Sequence, residues 1–285
     1  MSEDVRTAGA LWRLVEPLHA VSYFAPDAYT VFGAAGLRGF WPGYFAGRAA
    51  PLGAVGPEPV VAAFANFSPV MVGRALPSVW RVLPPRRALE LRLEGAVTAL
   101  RRLLAGQEEA ARRAADELTA RADGLDCAGR VLAAANSALP WPTDPLARLW
   151  HAATLLREHR GDGHVAALVA AGLDGCEALV LRAGADLPRT ELQPFRGWSD
   201  QEWDAAVDRL AGRGLLSGAG AATERGLRVL RDVELATDRA ARRPWQDLDG
   251  AARERLTALL LPLAEACATA LRFPNPIGLP APDQA

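Results

Sequence analysis

Apolar residues recur along this chain at the spacing of an amphipathic helix. Residues 7–24 place their apolar side chains on one helical face, and residues 86–120 and 145–159 consist almost entirely of helix-forming residues. The same pattern predicts shorter helices at 27–35, 44–50, 57–67, 69–76, 164–172, 174–184, 199–214 and 223–242. The pattern therefore predicts a mainly α-helical protein.

Residues that begin or end helices divide this pattern. Ser199 followed by Glu202 has the spacing of a capping box, and Ser68 before Pro69 is typical of a helix start. Asp27 is placed to cap the helix at 27–35, and Gly36 to end it in a left-handed conformation. The glycines of the segment 160–163, Arg-Gly-Asp-Gly, predict a turn that separates the helix at 145–159 from the next one.

Two parts of the chain repeat one another. Residues 33–39 read GAAGLRG and residues 169–175 read VAAGLDG, and a Leu-Trp pair precedes each string, at 11–12 and at 149–150. We interpret this order as a tandem duplication with repeats at 1–144 and 145–285, each of ordinary domain size. A duplication implies a pseudo-twofold axis, and the groove between the copies is the natural place for a ligand.

The second repeat contains a recognisable order of elements. Residues 213–216 read RGLL, a short SGAGAA turn follows, and residues 222–227 read ATERGL. This order resembles the end of a MarR-type domain, and the strings YFAGRAAPLGAV, NFSPVMVGRALPSVW and LREHRGDGHVAALVAAGLDG resemble an actinobacterial family of helix-turn-helix proteins. The resemblance implies a tandem pair of winged helix-turn-helix domains, with short β-hairpin wings, that forms a pseudo-dimer within one chain.

Composition narrows the classes of function. The formal net charge is −1 and every basic residue is arginine, so lysine Schiff-base chemistry is excluded. The three cysteines are far apart, which disfavours disulfides and zinc knuckles, and no nucleotide-binding, serine-hydrolase or EF-hand motif occurs. With no signal peptide and no stretch of about 20 apolar residues, we expect a cytoplasmic protein without a membrane partner.

DNA is a natural partner for a MarR-like protein, but the residues disfavour it. The helix in the recognition position, SDQEWDAAVDRL, carries four carboxylates against Arg209 alone, and the wing lacks arginine. Affinity for DNA depends on basic contacts to phosphate, which these carboxylates would oppose.

Candidate chemistry is concentrated in residues 157–164, Arg-Glu-His-Arg-Gly-Asp-Gly-His. A histidine flanked by carboxylates suits proton transfer near neutral pH, so His159 or His164 is a candidate acid or base, with Glu158 or Asp162 to orient it. The alternative is structural: a turn with local ion pairs and a helix end capped by His159. We expect neither a metal ion nor a cofactor, since the spacing matches no metal motif.

Other polar residues stand in apolar surroundings. Arg48 is the only charge in YFAGRAAPLGAV, and Asn66 is the strong polar group of VVAAFANF, so each either satisfies buried carbonyl groups or holds a ligand. The candidate ligand-binding residues are His19, Tyr23, Arg48, Asn66, Arg157 and Arg160. They predict an apolar or aromatic ligand with an anionic group between the two halves, in a monomer or a homodimer.

The sequence thus supports two hypotheses. The first is a small-molecule-binding protein on a degenerate winged-helix pseudo-dimer, either with or without acid–base catalysis. The second is a MarR-like, ligand-responsive transcriptional regulator that binds DNA.

Overall fold

A computed structural model describes residues 3–275 and 277–279, with side chains from Val5 onward. Its fold is mainly helical. The helices of this part are α1 (Glu3–Phe24), α2 (Pro26–Ala34), α3 (Phe40–Ala49), α4 (Pro57–Phe64), α5 (Pro69–Ala75), α6 (Val79–Val82), α7 (Pro85–Leu103), α8 (Glu108–Ala122), α9 (Val131–Ser137), α10 (Pro145–Ala170), α11 (Gly175–Ala183), α12 (Arg189–Leu192), α13 (Asp200–Gly212), α14 (Glu224–Ala241) and α15 (Gly250–Ala268).

Most of the predicted helix boundaries are confirmed. Ser68 caps α5 and Thr223 caps α14, each through its side-chain oxygen, and Ser199 forms the predicted capping box with Glu202 at the start of α13. The cap predicted at Asp27 is wrong, because α2 begins one residue earlier, at a proline, and makes no side-chain cap. The long helix predicted over 86–120 is two helices, separated where Gly106 adopts a φ of +83°.

The turn predicted at 160–163 is also wrong, because α10 continues through it. Gly163 is a packing residue: a Cβ there would lie 2.8 Å from Nη1 of Arg130 and 2.9 Å from Cβ of Ala240 on α14. Gly161 faces a cavity instead, so its missing side chain leaves space. Glycine usually weakens a helix. Here Gly163 allows Arg130 and α14 to pack closely against α10, and Gly161 leaves room in the cavity, while packing along the rest of α10 stabilises the helix.

The predicted wing is smaller than a β-hairpin. Leu216 and Ala222 form one isolated antiparallel bridge across the SGAGAA turn, and the described residues contain no β-strand. The bridge is held close to α11, because the amide of Ala222 donates a 2.8 Å hydrogen bond to the carbonyl of Gly184. The winged form of the domain accordingly stays a prediction.

Three local structures share one sequence pattern. At Gly36, Gly172 and Gly214 the helix ends in a left-handed glycine, and the amide of the following leucine bonds to the carbonyl five residues earlier. Each of these leucines is buried. This is the Schellman stop, in which the glycine supplies the positive φ and the next apolar residue packs back on the helix.

The largest apolar core belongs to both halves of the sequence. It joins α1, α7 and α8 from before residue 144 to α10 and α15 from after it, with Trp150 fully buried near its centre. Two smaller cores lie on either side, one built from α2 to α7 and α9, the other from the end of α10 through α14. The two smaller cores thus fall on different sides of the proposed boundary at residue 144, whereas the largest core, called here the central layer, takes helices from both halves.

Helix packing in this central layer is reciprocal. The first long helix, α1, packs on α15 and α14 of the second half, while α10, the first long helix of the second half, packs on α8 and α7 of the first. In addition, α1 and α10 contact one another directly. In the part of the chain that is described, no single helix has both the length and the apolarity needed to span a membrane.

Candidate functional site

A cavity of about 800 Å³ lies between the two halves. Its walls come from α1, α3 and residues 63–67 of the first half, and from α10, α11, α14, residues 194–196 and residues 277–278 of the second. Its aromatic lining residues are Trp12, Tyr23, Phe24, Phe40, Trp41, Tyr44, Phe64, Phe67 and Phe195. Its charged lining residues are Arg13, Arg48, Arg157, Arg160, Arg182, Arg196, Arg231 and Arg272, with Glu16, Asp186 and Glu234.

One face of α10 runs along the cavity. Arg157, Arg160, Gly161, His164 and Leu168 all line it, because their spacing of three or four residues places them on the same side of a helix. The span from 157 to 168 corresponds to roughly 16 Å along the helix axis. The cavity therefore extends along α10, with Arg157 at one end of this face and Leu168 at the other.

A buried ion-pair network lies beside the cavity at Arg157. Glu158 accepts hydrogen bonds from Nε and Nη2 of Arg48, at 3.3 and 3.4 Å, and from Nη1 of Arg157 at 2.7 Å. Burial alone would raise the pKa of Glu158, but Arg157 and Arg48 outweigh it and lower that pKa to about 2. Glu158 is therefore ionised at neutral pH and holds two arginines from opposite halves in place.

Further charged groups lie beside this network. Nε of Arg157 also lies 3.4 Å from Glu16. Arg196 lies near Arg48 and Arg157, and burial together with these cations lowers the pKa of Arg196 to about 10. The side chains of Arg48, Arg157 and Arg196 all line the cavity, and guanidinium groups suit the binding of a carboxylate.

Arginine and aromatic groups alternate around the cavity. The guanidinium carbon of Arg48 lies 3.9 Å from the ring centre of Phe64, and that of Arg196 lies 4.7 Å from the ring centre of Phe67. On the opposite wall, the guanidinium carbon of Arg160 lies 4.1 Å from the ring of Trp12. Stacked guanidinium and aromatic planes provide flat surfaces with positive charge at their edges, which suits a planar, anionic ligand.

His19 lies behind this wall in a defined protonation state. The hydroxyl of Thr154 donates to the carbonyl of Trp150, so it accepts from Nδ1 of His19 at 2.9 Å. Nε2 of His19 must then accept from the hydroxyl of Tyr23, also at 2.9 Å. Burial, and then the charge of Arg157, lower the pKa of His19 well below its ordinary value, so the imidazole is neutral and orients Tyr23.

His164 is fixed in the same way but faces the cavity. The hydroxyl of Thr237 donates to the carbonyl of Val233 and so accepts from Nδ1 of His164 at 2.9 Å. Nε2 makes no hydrogen bond to any residue that the structure describes. Burial lowers the pKa of His164 to about 4, the carboxylate of Glu234 opposing this effect and Arg160 adding to it. His164 therefore presents a neutral acceptor nitrogen to the cavity at pH 7.

A strained turn forms part of the first-half wall. Ala65 has a φ of +54° and a ψ of −53°, and the amide of Asn66 bonds to the carbonyl of Phe64 at 2.6 Å, which is a classic γ-turn. The second half holds this turn, because Nε1 of Trp198 donates to the carbonyl of Asn66 at 2.9 Å. Strain of this kind persists where the surrounding structure enforces it.

Asn66, the last residue of this turn, also belongs to the cavity wall. Its side chain lines the cavity, and the buried Oδ1 has no hydrogen-bond partner in the described part of the chain. A buried amide oxygen without a partner is unfavourable, so this atom is suited to accept a hydrogen bond from a ligand.

Six of the ten candidate site residues lie around the cavity: Tyr23, Arg48, Asn66, Arg157, Arg160 and His164. His19 and Glu158 lie directly behind it, as partners of Tyr23 and of the two arginines. The roles predicted for these residues stay predictions.

His159 and Asp162 do not line the cavity. Oδ2 of Asp162 accepts from the amides of Leu132 and Ala133, both at 2.9 Å, and the carbonyl of His159 accepts from Arg130. The helical path through 160–163 is the reason, because it directs residues 159 and 162 away from the face that carries 157, 160 and 164.

Sequence reasoning did not single out several of the cavity residues. Trp12, Glu16, Tyr44 and Arg196 all line the cavity, and the first two share a face of α1 with Tyr23. The spacing of Trp12, Glu16 and Tyr23 would have indicated a polar and aromatic stripe on α1. Arg196 left no such signal, since a loop brings it to the site.

The surface expected for DNA recognition is occupied by internal ion pairs. Arg209 pairs with Asp174 and Glu177, each at 2.7 Å, and Arg189 pairs with Asp200 at 2.6 Å. No group of three or more His, Cys, Asp or Glu among the described residues is arranged to hold a metal ion.

Comparison with known proteins gives one match. The profile of a helix-turn-helix family matches residues 8–274, nearly the whole chain, and the protein belongs to that family. No curated protein and no solved structure matches it.

Proposed function

We propose that this helix-turn-helix family member binds an aromatic or apolar small molecule with an anionic group in the cavity between its halves. The observation that carries the proposal is the cavity itself, with a volume in the range of ligand sites and a lining of alternating aromatic and arginine side chains. We place this function in the cytoplasm, in a chain that is monomeric or homodimeric.

The proposal includes a pseudo-dimer of degenerate winged-helix repeats. The reciprocal packing of α1 on α14 and α15, and of α10 on α7 and α8, supports it, because a twofold axis would relate the first set of contacts to the second. An axis between α1 and α10 would place the ligand at the junction of the two repeats.

Any acid–base catalysis would depend on His164. It is the one member of the four proposed catalytic residues that lines the cavity, and its Nε2 is positioned to accept a proton or a hydrogen bond.

Calorimetric titration tests the binding proposal. The probe is biphenyl carboxylate, with the uncharged biphenyl carboxamide as its partner, titrated into the wild-type chain and into Leu168→Trp, which fills the apolar end of the cavity. Leu261→Trp on the exposed side of α15 is the matched control. We expect saturable carboxylate binding, at least tenfold weaker carboxamide binding, and loss of both in Leu168→Trp only. Equal binding to all three chains, or none to the wild type, would refute the proposal.

The second candidate is a ligand-responsive regulator that binds DNA, with which membership of a helix-turn-helix family is compatible. It predicts nanomolar binding to a specific DNA sequence at physiological salt, with a steep dependence on salt concentration. We expect fluorescence anisotropy with genomic fragments to show weak, sequence-independent binding instead, since the carboxylates of α13 face solvent and Arg209 is paired.

A further inference from the structure

We infer that the ligand carries an N–H or O–H group that donates to Nε2 of His164, at a distance from its anionic group, and that Thr237 holds the imidazole in the acceptor form. This inference rests on the proposed function, because it adds a hydrogen-bond donor to the description of the anionic ligand.

The hydrogen bonds of Thr237 determine the imidazole's tautomer. A threonine hydroxyl has one proton, and here it is donated to the carbonyl of Val233 at 2.8 Å. The oxygen can then only accept from Nδ1 of His164, which therefore carries the ring proton. Thr237 is completely buried, so water does not compete for this arrangement. The lone pair on Nε2 remains available on the side where His164 lines the cavity.

An acceptor at this position selects a donor. A carboxylate would be repelled by the lone pair of Nε2, whereas a hydroxyl or an N–H group would donate a hydrogen bond to it. The neighbouring Arg160 cannot readily reverse this preference, because Glu234 and Asp238 already bind its guanidinium group.

Helix geometry sets the separation of the two groups on the ligand. Arg157 and His164 lie on the same face of α10, seven residues apart, which is two helical turns or about 10 Å along the axis. Arg48 and Arg157 lie together at one end of this face, where both bind Glu158. The complementary ligand is thus an elongated aryl acid with a hydroxyl or N–H group distant from its carboxylate.

Two probes test this inference: biphenyl carboxylate and the analogue with a hydroxyl group at the far para position. Against the wild-type chain we expect the hydroxylated probe to bind about tenfold more tightly, as one hydrogen bond in a buried site would provide. His164→Phe keeps a ring of similar size but no acceptor, and we expect it to bind both probes equally. Thr237→Val should lose most of the preference, and Thr237→Ser should retain it.

Nitrogen NMR provides a readout that a purely structural role would not change. In the wild type we expect His164 with a protonated Nδ1 and an unprotonated Nε2. In Thr237→Val the ring should shift toward the opposite tautomer, because Nδ1 has lost its acceptor. Equal binding of the two probes to the wild type would overturn the inference while leaving the proposed function intact. Binding of neither probe would overturn both.

Discussion

Nε of Arg48 on α3 lies 3.3 Å from Oε1 of Glu158 on α10, and this buried ion pair joins the two halves of the chain beside the cavity. Arg157 binds the other oxygen of the same carboxylate. Arg48 and Arg157 thus share the carboxylate of Glu158, and removal of that carboxylate affects both arginines at once.

Glu158→Gln should destabilise the fold by about 3–5 kcal/mol, because it leaves the buried Arg48 without a carboxylate partner and Arg157 with Glu16 alone. Urea denaturation at pH 7 measures this change. Glu109→Gln serves as the control, since Glu109 pairs with Arg112 on the exposed surface of α8 and its loss should leave the denaturation midpoint unchanged. Similar effects of the two substitutions would contradict the assignment.

The four histidines predict a loss of stability in mild acid. Burial lowers the pKa of His151, His159 and His164 to about 4, and that of His19 well below its ordinary value. The unfolded chain therefore binds protons first as the pH falls. Stability is complete above about pH 6.5 and decreases toward pH 4, by about 1.4 kcal/mol per pH unit for each histidine.

Denaturation midpoints between pH 7 and pH 5 test this dependence. His151→Phe removes one of the four buried histidines, from a site beside Trp141, so the slope should fall by about 1.4 kcal/mol per pH unit. A slope that is unchanged in this variant would show that other groups determine the acid response.

Two glycines of α10 should respond oppositely to alanine. At Gly163 a Cβ would contact Arg130 and Ala240 within 3 Å, so Gly163→Ala should cost about 1–3 kcal/mol. At Gly161 the nearest atom would be 3.5 Å away, and Gly161→Ala should add about 0.5–1 kcal/mol through helix propensity. Thermal and chemical denaturation of the pair provide the measurement, and changes of the same sign would be inconsistent with the packing described.

The γ-turn at Ala65 should be relieved by glycine. Ala65→Gly removes the Cβ that opposes a positive φ, and this gain should exceed the entropy added to the unfolded chain, raising stability by about 1 kcal/mol. Ala62→Gly, at an exposed position of α4, has no strain to release and should lower stability by about 0.5–1 kcal/mol. If both variants lose stability, the turn is not strained.

Helix caps could be predicted from the sequence, whereas contacts between residues that are far apart in the chain could be predicted only in part. The helix starts predicted at Ser68 and Ser199 depend on a few neighbouring residues, and they are confirmed. Gly163 in the middle of α10 packs against Arg130 and Ala240 from remote parts of the chain, and no periodicity within 157–164 could reveal that packing.

The candidate site shows the same division. Lone polar residues in apolar strings, such as Arg48 and Asn66, led to the cavity because an isolated polar group needs a partner. The pairing of Arg48 with Glu158 crosses 110 positions of sequence, and Arg196 arrives on a loop, so neither relationship follows from local pattern.

The three Schellman stops bear on how the ancestry of this chain can be traced. Gly36 and Gly172 lie in the two strings that first suggested a duplication, but Gly214 adopts the same structure within a single repeat. A short glycine-leucine string can therefore arise independently at any helix end where the leucine packs on a core, and it is not by itself evidence of a duplication. The proposal of a duplication therefore has to rest on the reciprocal packing of α1 and α10 and not on these turns.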